Sequence, residues 1–320
     1  MSRPAGAAIG IVADRLLGEP PPSLHPVAGF GRAMQAVEER IYADGRAAGV
    51  AHVAAGLALG ALAGRTVRST AVATWSAVAG RNLGEAATRV GDALAAGDLD
   101  RARELLPALV GRDPSRLDAK EVARAVVESV AENTVDAVVA PALWATVAGA
   151  PGAMAHRAVN TMDAMVGHRS ARYERYGWAS ARLDDAAAWV PARATAALVA
   201  ACRPRAASSV WQTVRRDAAA HPSPNSGVAE AAFAAALGLR LGGESRYDER
   251  VELRPALGTG RPPEAADIAA AVRLSRDVAL LLAAVLLTAD VGARALRRRS
   301  PVLCAPAHAC RGSVHTEGAP

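Results

Sequence analysis

The sequence is poor in the residues that usually advertise an activity. Aromatics make up 3% of its 320 residues, and lysine occurs once, at Lys120, so 36 of the 37 basic residues are arginine. No basic stripe with interleaved aromatics accompanies that excess, and nucleic acid is not an expected partner. Three cysteines, Cys202, Cys304 and Cys310, make no disulfide framework. Cys304, His308, Cys310 and His315 could be drawn as a metal site, but they sit in a Pro/Ala/Gly/Ser-rich stretch, and 300–320 reads as a disordered tail. No cleavable signal peptide is evident, because the apolar stretch from Pro4 to Ala13 is soon broken by Asp14 and Arg15. The Gly-rich nucleotide loops are missing too: Lys120 has neither the glycines nor the Ser/Thr of a P-loop, and G-x-G-x-x-G does not occur. A nucleotide, if bound, binds by another route. Alternating β patterns do not recur, and the rare candidate, Arg250–Arg254, is short.

What is present is 51% apolar, mostly Ala, Val and Leu, in a length that suits one large domain or two ordinary ones. Residues 47–64 and 137–155 carry no formal charge, and both reach the roughly 17–25 residues that a spanning helix needs. Shorter runs lie at 69–80, 194–202 and 278–289. Hydropathy alone leaves two readings open, spanning helices or buried helices of a soluble all-α protein. Arg193 interrupts 186–202, so that segment is interfacial or faces a polar cavity. Arginines flank almost every run on both sides and give no orientation. The five tryptophans fit interfacial anchors and core packing equally well. Between 81 and 130 the spacing of Leu83, Ala87, Val90 and Leu94 predicts an amphipathic, water-exposed helical insert. Residues 242–265 read as a polar loop region. The expected fold class is all-α.

Against this background the polar residues are concentrated in a few blocks. Of four asparagines, Asn133, Asn160 and Asn225 fall in them. In A-E-N-T-V-D, Glu132 and Asp136 share a helix face with Asn133 beside them, a pair suited to a hard cation bridging phosphates. Helix-end solvation, or pairing with Arg124 or Arg157, is the plain alternative. Asn160 and Asp163 repeat the polar spacing, and Gly167 breaks the helix that carries them. Arg182 precedes Asp184 and Asp185, which point to different sides of a helix, so one can face a ligand while the other pairs with Arg182. In H-P-S-P-N-S-G, prolines and Gly227 make a rigid loop, with Asn225 or Ser226 available to cap a helix from about Val228. With His221 it is either a phosphate site or a capped turn. Near the N-terminus, Asp14, His25 and Arg32 are the reactive groups of a proline-stiffened loop.

These blocks resemble the CobD/CbiB family of cobalamin biosynthesis, the adenosylcobinamide-phosphate synthases. The carrying segments are D-R-L-L-G-E-P-P-P-S-L-H-P-V from Asp14, V-G-R-D at 110–113, V-E-S-V-A-E-N-T-V-D from Val127 and N-T-M-D-A-M-V-G-H from Asn160. G-W-A-S-A-R-L-D-D from Gly177, W-V-P-A-R from Trp189 and H-P-S-P-N-S-G from His221 complete them, in family order over about residues 9–290. The resemblance implies a multi-pass protein of the inner membrane, with 1–299 as the membrane domain and the active site on the cytoplasmic side. It implies ATP-dependent joining of adenosylcobyric acid to (R)-1-aminopropan-2-ol O-phosphate, or a related amino alcohol, with Mg²⁺. The lipid bilayer, the corrinoid, the amino-alcohol phosphate and other cobalamin-assembly enzymes are the expected partners. Glu132, Asp136, Asp163, Asp184 and Asp185 are then candidate catalytic acids, the first two also candidate metal ligands. Asn133, Asn160 and Asn225 would orient substrate, Arg182, His221 and Ser226 would meet phosphate, and Asp14 and His25 would join substrate binding. A transporter or corrinoid-binding scaffold would use the same intramembrane polar residues without hydrolysis. A single site requires Asp14, Glu132, Asn160, Asp184 and Asn225 to converge on a wide cavity opening toward 81–130.

Overall fold

The computed structural model describes residues 1–20, 26–111, 113–168, 170–247 and 250–299; His25 and the 300–320 tail with its Cys/His set lie outside the described residues. Helix α1 (Arg3–Leu17) starts at Ser2, whose hydroxyl accepts the Ala5 N–H at 3.4 Å, and stops at Gly18, where φ is 74°. Helices α2 (Pro26–Ile41), α3 (Arg46–Val67) and α4 (Thr70–Ala77) follow. The α3 face turned inward is Gly49, His52, Val53, Gly56, Gly60 and Gly64. Small residues at this spacing let two helix backbones approach closely, as packing within lipid requires. The partner is α8 (Ala140–Met162): a Cβ on Gly60 would stand 2.7 Å from the Ala158 Cβ, and one on Gly64 would collide with Pro151.

The 81–130 stretch is not uniform. Helix α5 (Gly80–Ala95) buries Leu83, Ala87 and Val90 and leaves its other faces to charge, as its periodicity predicts. Helix α6 (Leu99–Leu105) is capped by Asp98, which accepts the Arg101 N–H at 2.9 Å. Helix α7 (Ala119–Thr134) opens with a reciprocal capping box between Asp118 and Glu121, then buries almost everything from Val122 to Ala131. It belongs to the core. From Thr134 the chain runs without interruption through a π-turn at Val135–Val139 into α8, which is kinked at Gly149 (φ 70°) before Pro151 and ends in a second π-turn at Asp163–Gly167.

Helix α9 (Trp178–Cys202) packs on α8, α11 (Ser226–Leu237) packs on α7 and α9, and α10 (Ala207–Asp217) packs on α9 and α11. A hairpin then interrupts the helices, with β1 (Leu241–Tyr247) antiparallel to β2 (Arg250–Leu257). This corrects the polar-loop reading of 242–265. The alternation that marks a strand is obscured there because Gly242 and Gly243 take positive φ and shift the register just after Leu241. Helix α12 (Ala265–Arg299) closes the bundle against α1, α5, α7 and α9, burying Ile268, Ala271, Leu274, Val278 and Leu282 at helical spacing.

Among the described residues three segments, Arg46–Val67, Ala119–Gly167 and Ala265–Ala295, are long and apolar enough to cross a membrane. Val50, Leu57, Leu59 and Leu62 on α3 and Leu280, Val285, Leu287 and Val291 on α12 point outward, which water would penalise and lipid would not. Trp144, Trp178, Trp189 and Trp211 are 37–52% exposed, so they belong to the surface rather than the core. The fold is all-α and polytopic, and it is that of a membrane protein.

Candidate functional site

Four helices deliver the rare polar residues to one junction. Glu132 lies in the last turn of α7 and Asp136 in the π-turn that follows. An i→i+5 turn displaces its residues from the α-helical phase and is found disproportionately at functional sites. Arg157 and Asn160 come from the last turns of α8, and Asp163 opens the second π-turn. The Asp163 carboxylate folds back over Gly167 and occupies the space where any side chain at that position would begin. Asp184 and Asp185 come from the early turns of α9, and Asn225 and Ser226 from the loop that starts α11.

Specific contacts tie these segments together. The Ser226 hydroxyl donates to Glu132 Oε1 at 2.6 Å. Asn160 hydrogen-bonds the Asp184 carboxylate. The Asn225 side chain bridges two places on α9, donating to the Asp185 carbonyl at 2.8 Å and accepting from Arg193 at 3.0 Å. Arg193 also lies over the Trp189 ring at 4.3 Å. Its expected polar surroundings are therefore Asn225 and an aromatic face. Neither Asn225 nor Ser226 caps α11 with its side chain. That work falls to Ser223, whose hydroxyl accepts the Asn225 and Ser226 N–H groups at 3.3 and 3.1 Å. The capped-turn alternative thus holds through a different residue, and it leaves Asn225 and Ser226 for the junction.

The junction carries surplus negative charge. Asp136 interacts electrostatically with Asp184, Glu132 and Asp163, and Arg157 is the opposing cation. Burial, then Asp163, pushes the Asp184 carboxyl up to about 7 against the Asn160 hydrogen bond. Burial also raises Asp185, with Arg182 opposing it at 3.4 Å. As residues these acids are half-buried. A cleft of about 750 Å³ opens beside the junction, lined among others by Glu19, Arg81, Asn82, Glu85, Asn133 and Arg157. Its wall toward the 81–130 stretch is α5. Among the described residues no three His, Cys, Asp or Glu side chains form a preassembled metal cage.

Other predicted residues are placed elsewhere. Asp14 is buried away from the acids, and its Oδ2 accepts the Arg81 N–H at 3.0 Å, which caps α5. His221 is buried with Nδ1 engaged by the Ser223 N–H at 3.1 Å and Nε2 facing Glu230 at 3.7 Å, so it is held in the protein rather than turned to a phosphate. Burial lowers its pKa and keeps the ring neutral at pH 7. Asn133 lines the cleft while its amide donates to the Ser129 carbonyl at 2.9 Å. His25 lies outside the described residues. Sequence reasoning put Glu230 in the first turn of the helix after H-P-S-P-N-S-G without giving it a role, though it is fully buried beside His221 and 3.9 Å from Arg254, and treated Arg157 only as an ion-pair partner. The signal for Arg157 was its position one turn before Asn160, on the same helix face.

The chain is similar to known proteins along most of its length. A family model described as CobD/Cbib protein matches residues 7–275. The cobalamin biosynthesis protein CobD of Mycobacterium tuberculosis (strain ATCC 25618 / H37Rv) is 50% identical over 293 residues, 87% of this chain and 92% of that protein. The proteins of the same name from Chromobacterium violaceum and Geobacter metallireducens are 43% and 40% identical, over 88% and 89% of this chain and 95% and 97% of theirs. No solved structure matches the chain.

Proposed function

The chain belongs to the CobD/Cbib family of cobalamin biosynthesis, and on that premise we propose that it is an adenosylcobinamide-phosphate synthase. In this reading it joins adenosylcobyric acid to (R)-1-aminopropan-2-ol O-phosphate, or a related amino alcohol, at the cytoplasmic side of the cell membrane. A carboxylate and an amine do not condense unaided in water. The corrinoid carboxylate attacks the γ-phosphorus of ATP, releasing ADP and forming an acyl phosphate. The amine then attacks the acyl carbon, phosphate departs, and the ammonium proton passes to a carboxylate of the protein.

The observation that carries the proposal is the meeting of Glu132, Asp136, Asp163 and Asp184 from α7, α8 and α9 beside a cleft of about 750 Å³. Asp184, held by Asn160 and with its carboxyl near 7, suits the proton acceptor. Arg182, exposed beside Asp185 on α9, suits the amino-alcohol phosphate. Mg²⁺ takes one or two protein carboxylates plus substrate phosphates, so the absence of a three-ligand cage among the described residues is compatible with it. Glu132 and Asp136 are the side chains that would hold it, and it would supply charge neutralisation for the phosphates. Ser226, bonded to Glu132, and Asn225 position these acids from α11.

Purified protein in detergent, given ATP, Mg²⁺ and both substrates, should release ADP only when both are present. Corrinoid binding without ADP release overturns the ligase reading in favour of a scaffold or transporter.

A further inference from the structure

Arg157 stands where two cavities meet. One is the polar cleft of about 750 Å³; the other, about 280 Å³, is apolar, lies between α2, α3 and α8, and is lined by Phe30, Ala33, Leu59 and Met154 among others. They share Val27 and Arg157. A guanidinium within a segment apolar enough to span a membrane is costly to keep and marks function by default. Arg157 makes one long hydrogen bond, to Asn160 Oδ1 at 3.4 Å, and its buried Nε has no hydrogen-bond partner among the described residues. A guanidinium carries five donors in a planar fork that matches a carboxylate.

The surplus of acids argues at first against a further carboxylate here. Yet Glu19, which lines the same cleft, already acts electrostatically on Arg157, so a carboxylate at that wall is tolerated. We propose that Arg157 receives the carboxylate of the corrinoid acid, with the polar rim of the macrocycle in the large cleft and an apolar edge in the smaller cavity. A ligand far beyond drug size needs more than one compartment. Amidation removes the charge that Arg157 holds, so the same residue favours acid over product. This assignment rests on the corrinoid acid being the substrate.

The test is equilibrium binding of cobyric acid and of its aminopropanol amide to the full-length protein in detergent, without ATP. Wild type should prefer the acid. Arg157→Gln should weaken acid binding by roughly 10- to 100-fold, the worth of a charged hydrogen-bond pair, and leave the amide unchanged. Arg157→Lys should restore part of the preference, and Glu19→Gln should keep or strengthen acid binding. Equal losses for acid and amide in Arg157→Gln, an unchanged acid affinity, or a wild type that does not discriminate each overturns the assignment. The preference is a ratio, so partial misfolding of a variant does not mimic it. Discrimination by wild type that collapses in Arg157→Gln, with no ADP release on adding ATP, Mg²⁺ and the amino-alcohol phosphate to the acid, sinks the ligase reading and supports acid recognition by Arg157.

Discussion

The two faces of α8 are governed by different physics. Toward α3 it presents Pro151, Met154, Ala158 and Met162 to a row of glycines, a dry seam in which distance is everything. Toward α7, α9 and α11 it presents Arg157, Asn160 and Asp163, where charge and hydrogen-bond partners decide what fits. The seam is regular helix against regular helix. The polar face is bounded by π-turns at both ends of the helix, each carrying an aspartate. Close packing needs strict periodicity, whereas collecting acids from successive helices needs the periodicity broken at chosen points.

If the comparison is sound, changes on the polar face should remove turnover and spare the fold. Glu132→Gln and Asp136→Asn keep size and lose charge. Each should lower ADP release by roughly 10²- to 10⁴-fold, the range for a positioned catalytic group, with the thermal midpoint in detergent within reach of wild type. Turnover like that of wild type in both single variants sinks the assignment of this face.

Asp184 sharpens the contrast because it couples the two properties. Its carboxyl is pushed up to about 7 in the folded chain, first by burial, above the ~3.9 of an unfolded aspartate. Ionisation therefore opposes folding. The stability it contributes is fully present below about pH 4, declines as pH rises to about 7 and is level beyond. As the proposed proton acceptor it must be ionised, so turnover should fall about tenfold per pH unit below 7. Asp184→Asn should lose turnover yet melt higher than wild type at pH 8. A variant that melts lower at pH 8 breaks this account.

The division between the faces also explains what was legible in the sequence. Apolar runs long enough to span, and asparagines and acids that are rare elsewhere, stood out in a chain of Ala, Val and Leu. They led to α3, α8, α12 and most of the junction. The π-turns were not legible, because an i→i+5 turn leaves no residue signature and is set by the packing around it. The hairpin was hidden by its glycines. Arg157 was hidden by company, since arginines flank nearly every apolar run in this chain. Ser223 takes the capping role expected of Asn225 or Ser226, because a loop of prolines fixes its turn without revealing which side chain reaches which N–H.

On the dry face the opposite signature is expected. Gly64→Leu, on the same seam but outside both cavities, drives a Cβ into the Pro151 backbone and carries more atoms behind it. Overpacking of this kind costs about 1–3 kcal/mol, read as a lower thermal midpoint and a smaller folded yield. ADP release per folded molecule should stay at the wild-type level. A loss of specific turnover with an unchanged midpoint would mean that the seam transmits to the site, and the two faces could no longer be treated apart.

The smallest effect is expected at Asp14, and it decides whether this residue belongs with the acids at all. The residue heads a block that carries the family resemblance, which suggested substrate binding. Its Oδ2 instead accepts the Arg81 N–H at 3.0 Å, at the start of a helix whose own N-cap, Ala79, has no side-chain oxygen to offer. Burial raises its carboxyl, and the N–H groups of Arg81 and Gly80 oppose that rise. Asp14→Ala should therefore cost about 1 kcal/mol, the usual worth of an N-cap, and Asp14→Asn less, because the amide oxygen can still accept. Because α5 walls the cleft, its fraying should raise KM slightly and leave kcat alone. The measurement is a pair of melting curves and a kinetic split for the two variants. A fall in kcat for Asp14→Asn with an unchanged midpoint would move Asp14 from the cap of α5 into the chemistry.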